Sequence, residues 1–135
     1  MSRSGYSDDY DNWSMIKWRG AVNSAIRGRR GQAFLKEMLA ALDSLPVKRL
    51  IEGELETAGE VCALGAVGQK RGIGMTNVDP YDRESVAGTF GISPALAAEI
   101  MYINDEGVGY WVEETPPARW QRVRNWVAGK IIEMP

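Results

Sequence analysis

The chain of 135 residues contains no histidine. That absence removes the ordinary nucleophile-plus-imidazole arrangements and every histidine-containing zinc site. Its single cysteine, Cys62, excludes an intrachain disulfide and a four-thiolate metal site. The apolar setting of Cys62, "EVCALGAV", reads as that of a small buried side chain. No run approaches the roughly 18 to 20 apolar residues that a membrane span needs, and the N-terminus lacks a basic region followed by an apolar stretch. These features favour a cytoplasmic protein with no membrane contact. Catalysis by carboxylate, lysine or tyrosine stays open, yet no such side chain has a partner at a telling spacing. The expectation is a non-enzyme without metal or cofactor.

What is present reads as one domain: 44% of residues are apolar and 25% charged, ordinary globular values for a chain of this length. The polar start "MSRSGYSDDYDN" predicts a flexible segment over residues 1–10, followed by a single globular helical domain over 11–135. The net charge of -2 hides a segregation. Lys17, Arg19, Arg27, Arg29, Arg30, Lys36, Lys48 and Arg49 face only Glu37 and Asp43 in the first third. Between Asp79 and Glu114 lie eight acids and one base, Arg83. Such polarity steers a partner or satisfies charges between folded faces.

Periodicity places five or six short helices in a compact, mainly α bundle. In "WSMIKWRGAVNSAIR", Met15, Trp18, Val22 and Ile26 recur at three- and four-residue steps, with Asp11 or Asn12 as cap. "GRRG" interrupts the chain. "QAFLKEMLAALDSL" then carries a stripe of Phe34, Leu35, Met38, Leu39, Leu42 and Leu45, stopped by Pro46; the two helices read as an antiparallel hairpin. Residues 50–64 admit a small β-ribbon turning at "TAGE", or a loop leading into a helix from Glu60. Gly65 and Gly68 suit close packing between helices. Three cap-and-proline pairs, Asp79/Pro80, Ser93/Pro94 and Thr115/Pro116, predict three further helix starts. The last helix has a seam of Trp120, Val123, Val127 and Ile131.

"VAGTFGISPALAAEI", residues 86–100, has helix-turn-helix spacing: Ala87 lets two helices cross, Gly91 opens their connection, and Ile92, Ala97 and Ile100 fill the core. A helix that reads bases presents polar or basic groups. This one is apolar and lies in an acidic segment that repels phosphate, so the element reads as a packed corner. The better nucleic-acid surface is Arg19, Arg27, Arg29, Arg30, Lys48 and Arg49, which lacks interleaved aromatics.

Other patterns carry less. Glu52, Glu54, Glu56 and Glu60 lack calcium-loop spacing and read as a solvated edge. "GAVGQKRGIG" lacks the phosphate-loop pattern. Of five tryptophans, Trp18 and Trp120 match core stripes, while Trp111, in "YWVEE", and Trp126, toward the Arg119 and Arg122 side of its helix, are the candidate interface anchors.

Across nearly the whole chain, "W-x-x-I-x-W-R-G-A-V-x-S-A-I-R-G-x-R-G-Q-A-F-L" at 13–35, "K-R-L-I-x-G-E-L-E" at 48–56, "V-C-A-L-G-A-V-G" at 61–68, "N-D-E-G" at 104–107 and "ETPPARWQRVRNWV" at 114–127 resemble small conserved proteins encoded in phages and prophages of proteobacteria. The resemblance implies action inside an infected or lysogenic bacterium and carries no biochemical activity onto any residue. It favours an accessory protein that binds and modifies or inhibits a host protein or protein–nucleic-acid complex, a defence system among the candidates. In that reading Arg27, Arg29, Arg30 and Lys36 steer association, and Trp111 or Trp126 anchors it.

Overall fold

The computed structural model describes residues 3–6, 11–109 and 112–132. Among the described residues there are six helices: α1 (Asn12–Arg27), α2 (Arg29–Ser44), α3 (Ala63–Arg71), α4 (Arg83–Phe90), α5 (Pro94–Glu106) and α6 (Pro116–Lys130). One antiparallel ribbon, β1 (Glu56–Thr57) and β2 (Glu60–Val61), pairs Glu56 with Val61 and Thr57 with Glu60. The architecture is mainly α with a small β-ribbon. Both alternatives for residues 50–64 hold in part. The ribbon turns at Ala58 and Gly59, both with positive φ as a two-residue hairpin requires, and the helix begins three residues later than Glu60.

Side-chain caps set five of the helix starts, that of α3 through the Cys62 sulfur, which accepts the Gly65 N–H. The Asp11 carboxylate accepts the Ser14 N–H, and the Ser93 and Thr115 hydroxyls accept the N–H groups of Leu96 and Ala118, each ahead of a proline in the first turn. The Asp79/Pro80 expectation needs correction. Asp79 closes a turn by accepting the Tyr81 N–H, and Asp82 caps α4 by accepting from Ser85. Two aspartates three residues apart offer the same chemistry, and the turn takes the first of them.

Helix α1 meets α2 at Gly28. A Cβ on Gly31, in the first turns of α2, would run into the Ala25 carbonyl, so glycine there lets the hairpin close. Gly65 and Gly68 are also sites of close approach. Their neighbours are the Leu55 carbonyl and the Met75 thioether rather than a second helix.

Helix α5 is the hub: Ala95 to Met101 are all buried, and it packs against α1, α3, α4 and α6, while α2 covers α3 and α6. Phe34, Leu35, Met38 and Leu42 deliver the expected α2 stripe, with Leu39 half-buried. Met15 departs from its seam and is 40% exposed, because the first half of α1 extends past the elements that cover Val22 and Ile26. Among the described residues no single helix is long and apolar enough to cross a membrane.

Residues 3–6 depart from the expected flexible start. Arg3 and Ser4 are buried. The Arg3 guanidinium donates to both oxygens of Asp105 at 2.6 and 2.9 Å.

Candidate functional site

The basic residues singled out in the sequence divide into two sets. Arg19 turns inward, donating to both oxygens of buried Glu99 at 2.8 and 3.0 Å, and Tyr6 donates to the same carboxylate at 2.8 Å. The Lys48 ammonium caps the C-terminal end of α2 through the Asp43 and Leu45 carbonyls and lies 5.7 Å from the centre of the Trp120 ring. Arg49 pairs with Glu60 at 2.6 Å. These three are engaged within the fold.

Arg27, Arg29, Arg30 and Lys36 form the other set. All four are exposed, and none has an acidic partner among the described residues. Arg27 ends α1 and Arg29 and Arg30 open α2, on either side of Gly28. Lys36 lies two turns beyond Arg29 on the same outward face. Gln32 fixes this junction. Its amide donates to the Ile26 and Lys130 carbonyls at 2.7 and 3.0 Å, and its oxygen accepts the Ile132 N–H at 2.7 Å. The end of α1, the start of α2 and the end of α6 are thereby held together. A shallow groove of about 230 Å³ beside Arg29 and Arg30 runs to Ile92 and Ser93 at the α4–α5 corner.

The start of α2 is electrostatically adverse to its own sequence. Gly28 offers no side-chain cap, the first turn contains no acid, and two guanidiniums stand where the helix dipole favours negative charge.

Of the proposed anchors, Trp126 is half-buried and packed against the core; Trp111 lies outside the described residues. The neighbours that made Trp126 a candidate are engaged. Arg119 is buried and donates to the Leu50 carbonyl, and Arg122 pairs with Glu114 at 2.7 Å. Trp120, expected in the core, is half-buried and donates its indole N–H to the Leu42 carbonyl. Among the described residues the large aromatic that is most open is Trp13, 66% exposed.

The helix-turn-helix element is a packed corner. Its two helices meet at 104°, Gly91 adopts a left-handed conformation, and the second helix is the buried hub α5. Glu52, Glu54 and Glu56 are exposed, and no metal-ligating cluster forms among the described residues. In "GAVGQKRGIG", Arg71 pairs with Glu37 and donates to the Phe90 carbonyl.

At the other end of α1, an open groove of about 900 Å³ is lined by Trp18, Tyr102, Glu106 and Glu113, among others. Tyr6 packs between Trp18 and Tyr102 at ring separations of 5.9 and 5.0 Å. Burial pushes the Tyr6 phenol above its ordinary range, and the Glu99 carboxylate adds to the push. Several acids near this groove are already matched: Asp105 by Arg3, Glu99 by Arg19 and Glu114 by Arg122. The acidic 79–114 segment therefore settles part of its charge inside the fold.

No protein-family model matches the chain, and no curated protein or solved structure matches it.

Proposed function

We propose that this protein is a non-enzymatic binding protein that occupies an acidic surface of a host protein complex through Arg27, Arg29, Arg30 and Lys36. The observation that carries this reading is the placement of Arg29 and Arg30. Among the described residues they have no acidic partner, and they stand at the start of α2, which has no side-chain cap, where positive charge opposes the folded state by a few tenths to about 1 kcal/mol per residue. Folding is not served by that arrangement; recognition of an acidic partner is, because an unpaired basic cluster raises encounter rates with negative surfaces. The phage resemblance supplies the cellular setting, a host complex in an infected or lysogenic bacterium, with a defence system as one class of target.

The nucleic-acid reading is the weaker one. Three of its six residues, Arg19, Lys48 and Arg49, have partners inside the fold. Affinity capture from the bacterial host, before and after nuclease, tests the proposal. A defined protein complex retained after nuclease and lost on Arg29→Glu/Arg30→Glu is the expected result. Association that disappears with nuclease transfers the basic junction to nucleic acid, and a complex indifferent to the charge reversal overturns the assignment of these residues.

A further inference from the structure

The groove of about 900 Å³ lies beside the start of α1, away from the basic junction at that helix's other end. Three stretches of chain contribute to it: Met15 and Trp18 from α1, Tyr102 and Glu106 from α5, and Val112 and Glu113 from the segment ahead of α6. Met15 and Val112 are 40% and 55% exposed, so apolar surface stands open to solvent there.

Charge around the groove does not balance. Its arginines are all matched: Arg3 by Asp105, Arg19 by Glu99, Arg122 by Glu114, and Arg119 by Glu114 and Glu52. Two carboxylates are left over. Among the described residues Glu106 has no cation and accepts only from the Ser4 hydroxyl, at 3.2 Å, while Glu113 has neither an ion pair nor a hydrogen bond. A second imbalance is buried. The Arg119 side chain is 8% exposed and lines the same groove, yet its Nε–H has no acceptor among the described residues. The Glu114 oxygen stands 3.6 Å from that nitrogen, beyond hydrogen-bond range. Buried donors in native structures are nearly always satisfied, so one left open calls for an explanation.

These features together call for a ligand that carries a cation, an acceptor and apolar surface. A metal ion or a polyamine brings only the first. A polypeptide segment brings all three, and the chain's own N-terminal residues show the pattern. Along residues 3–6, Arg3 donates to Asp105, Ser4 to Glu106 and Tyr6 to Glu99, with the Tyr6 ring against Trp18 and Tyr102. We propose that the groove docks an extended segment of a partner protein that presents an arginine between apolar residues. The guanidinium meets Glu106 and Glu113, a main-chain carbonyl accepts from Arg119, and the flanking side chains cover Met15 and Val112. Arginine suits two separate carboxylates better than lysine, because its planar fork spreads five donors. The protein then has two binding surfaces of opposite sign, one at each end of α1.

The probe is a heptapeptide, Gly-Ala-Leu-Arg-Leu-Ala-Gly, carrying fluorescein at its N-terminus and an amide at its C-terminus. Its anisotropy is followed as the full chain is added to about 500 µM, which covers micromolar affinities. Saturable binding is expected. Replacing arginine by citrulline, its neutral isostere, is expected to weaken it about tenfold, as is Glu106→Gln/Glu113→Gln, in line with two charge contacts. Glu113→Gln alone breaks no contact inside the fold and is expected to give a several-fold loss with unchanged helical circular dichroism. Glu54→Gln/Glu84→Gln removes the same charge from exposed positions elsewhere and is expected to change affinity by less than about twofold, because distant surface charges are screened. Absence of saturable binding, equal affinity for the arginine and citrulline peptides, or equal losses in the two double variants overturns the proposal. So does competition by free arginine amide at the peptide's own affinity, which makes the groove a small-molecule site.

Discussion

Arg3 and Asp105, separated by 102 positions, form a two-pronged ion pair in which the two side chains are only 1% and 12% exposed. Asp105 also accepts the Gly53 N–H and an amide hydrogen of Asn104, so one carboxylate joins the N-terminal segment, the loop before the ribbon and α5. Removing one member of a buried pair leaves the other uncompensated. Because Asp105 keeps two other donors, Arg3→Ala is expected to cost about 3 kcal/mol, the lower edge of that class, read as a fall in the urea midpoint without a change in slope.

Asn104 is wholly buried and serves two backbone groups. Its oxygen accepts the Ala63 N–H at 3.0 Å and its amide donates to the Ile51 carbonyl at 2.9 Å. Asn104→Leu keeps the approximate volume and strands both groups, at about 1–3 kcal/mol for each. Thermal unfolding of this variant is expected to fall well below that of Asn125→Leu, an exposed α6 position that serves as the surface control.

Charge reversal at the α2 start separates stability from recognition. Arg29→Glu/Arg30→Glu puts acids where the helix dipole favours them, so the variant is expected to unfold at an equal or higher temperature, by up to about 1 kcal/mol per residue. Host-complex capture is expected to be lost in the same variant. A clear drop in unfolding temperature would show that the two arginines support the fold after all.

Stability is expected to be level across neutral pH and to decline at both extremes. Asp11, Glu37 and Asp43 have carboxyls held below the usual range by the Ser14 N–H, Arg71 and Arg124 respectively. Depressed folded-state values mean that their stabilisation is present above about pH 4 and is lost as the pH falls through them. Tyr6 has the opposite sign. Burial raises its phenol, so its contribution is intact below about pH 10 and fades as the pH climbs toward the folded-state value. With no histidine in the chain, the usual source of a transition near pH 6.5 is absent. Unfolding temperatures at half-unit steps from pH 3 to 11 check both limbs.

Local chemistry made much of the fold readable. Ser93/Pro94 and Thr115/Pro116 mark α5 and α6 because a cap and a first-turn proline act within four residues, and the α2 stripe follows from helical periodicity. Asp79 and Asp82 were harder to tell apart, since either can accept an N–H two or three positions ahead. Long-range pairing was not legible at all. Nothing near Arg19 distinguishes it from Arg27, yet one meets Glu99 eighty positions away and the other faces solvent. Exposure of the tryptophans was equally hidden: Trp13 stands open because the first half of α1 outruns its neighbours, whereas Trp126 is drawn against the core by α2 and α6 packing. The basic junction was visible as a run of like charge, but its opposition to the helix dipole needed the position of Gly28 as the break between α1 and α2.

The Arg3 anchorage also orders events during synthesis. At translation rates of about 5–20 residues per second, a hundred residues take about 5–20 seconds. During that interval the guanidinium has left the ribosome without its carboxylate, and α1 and α2 lack the hub against which α1 will pack. The segment around Arg3 is therefore among the last to find its place, although it is made before every helix of the bundle. The hairpin must wait with Phe34 and Leu35 uncovered, so a chaperone or a slowed codon run before α5 would change the yield of folded protein while leaving its final stability untouched.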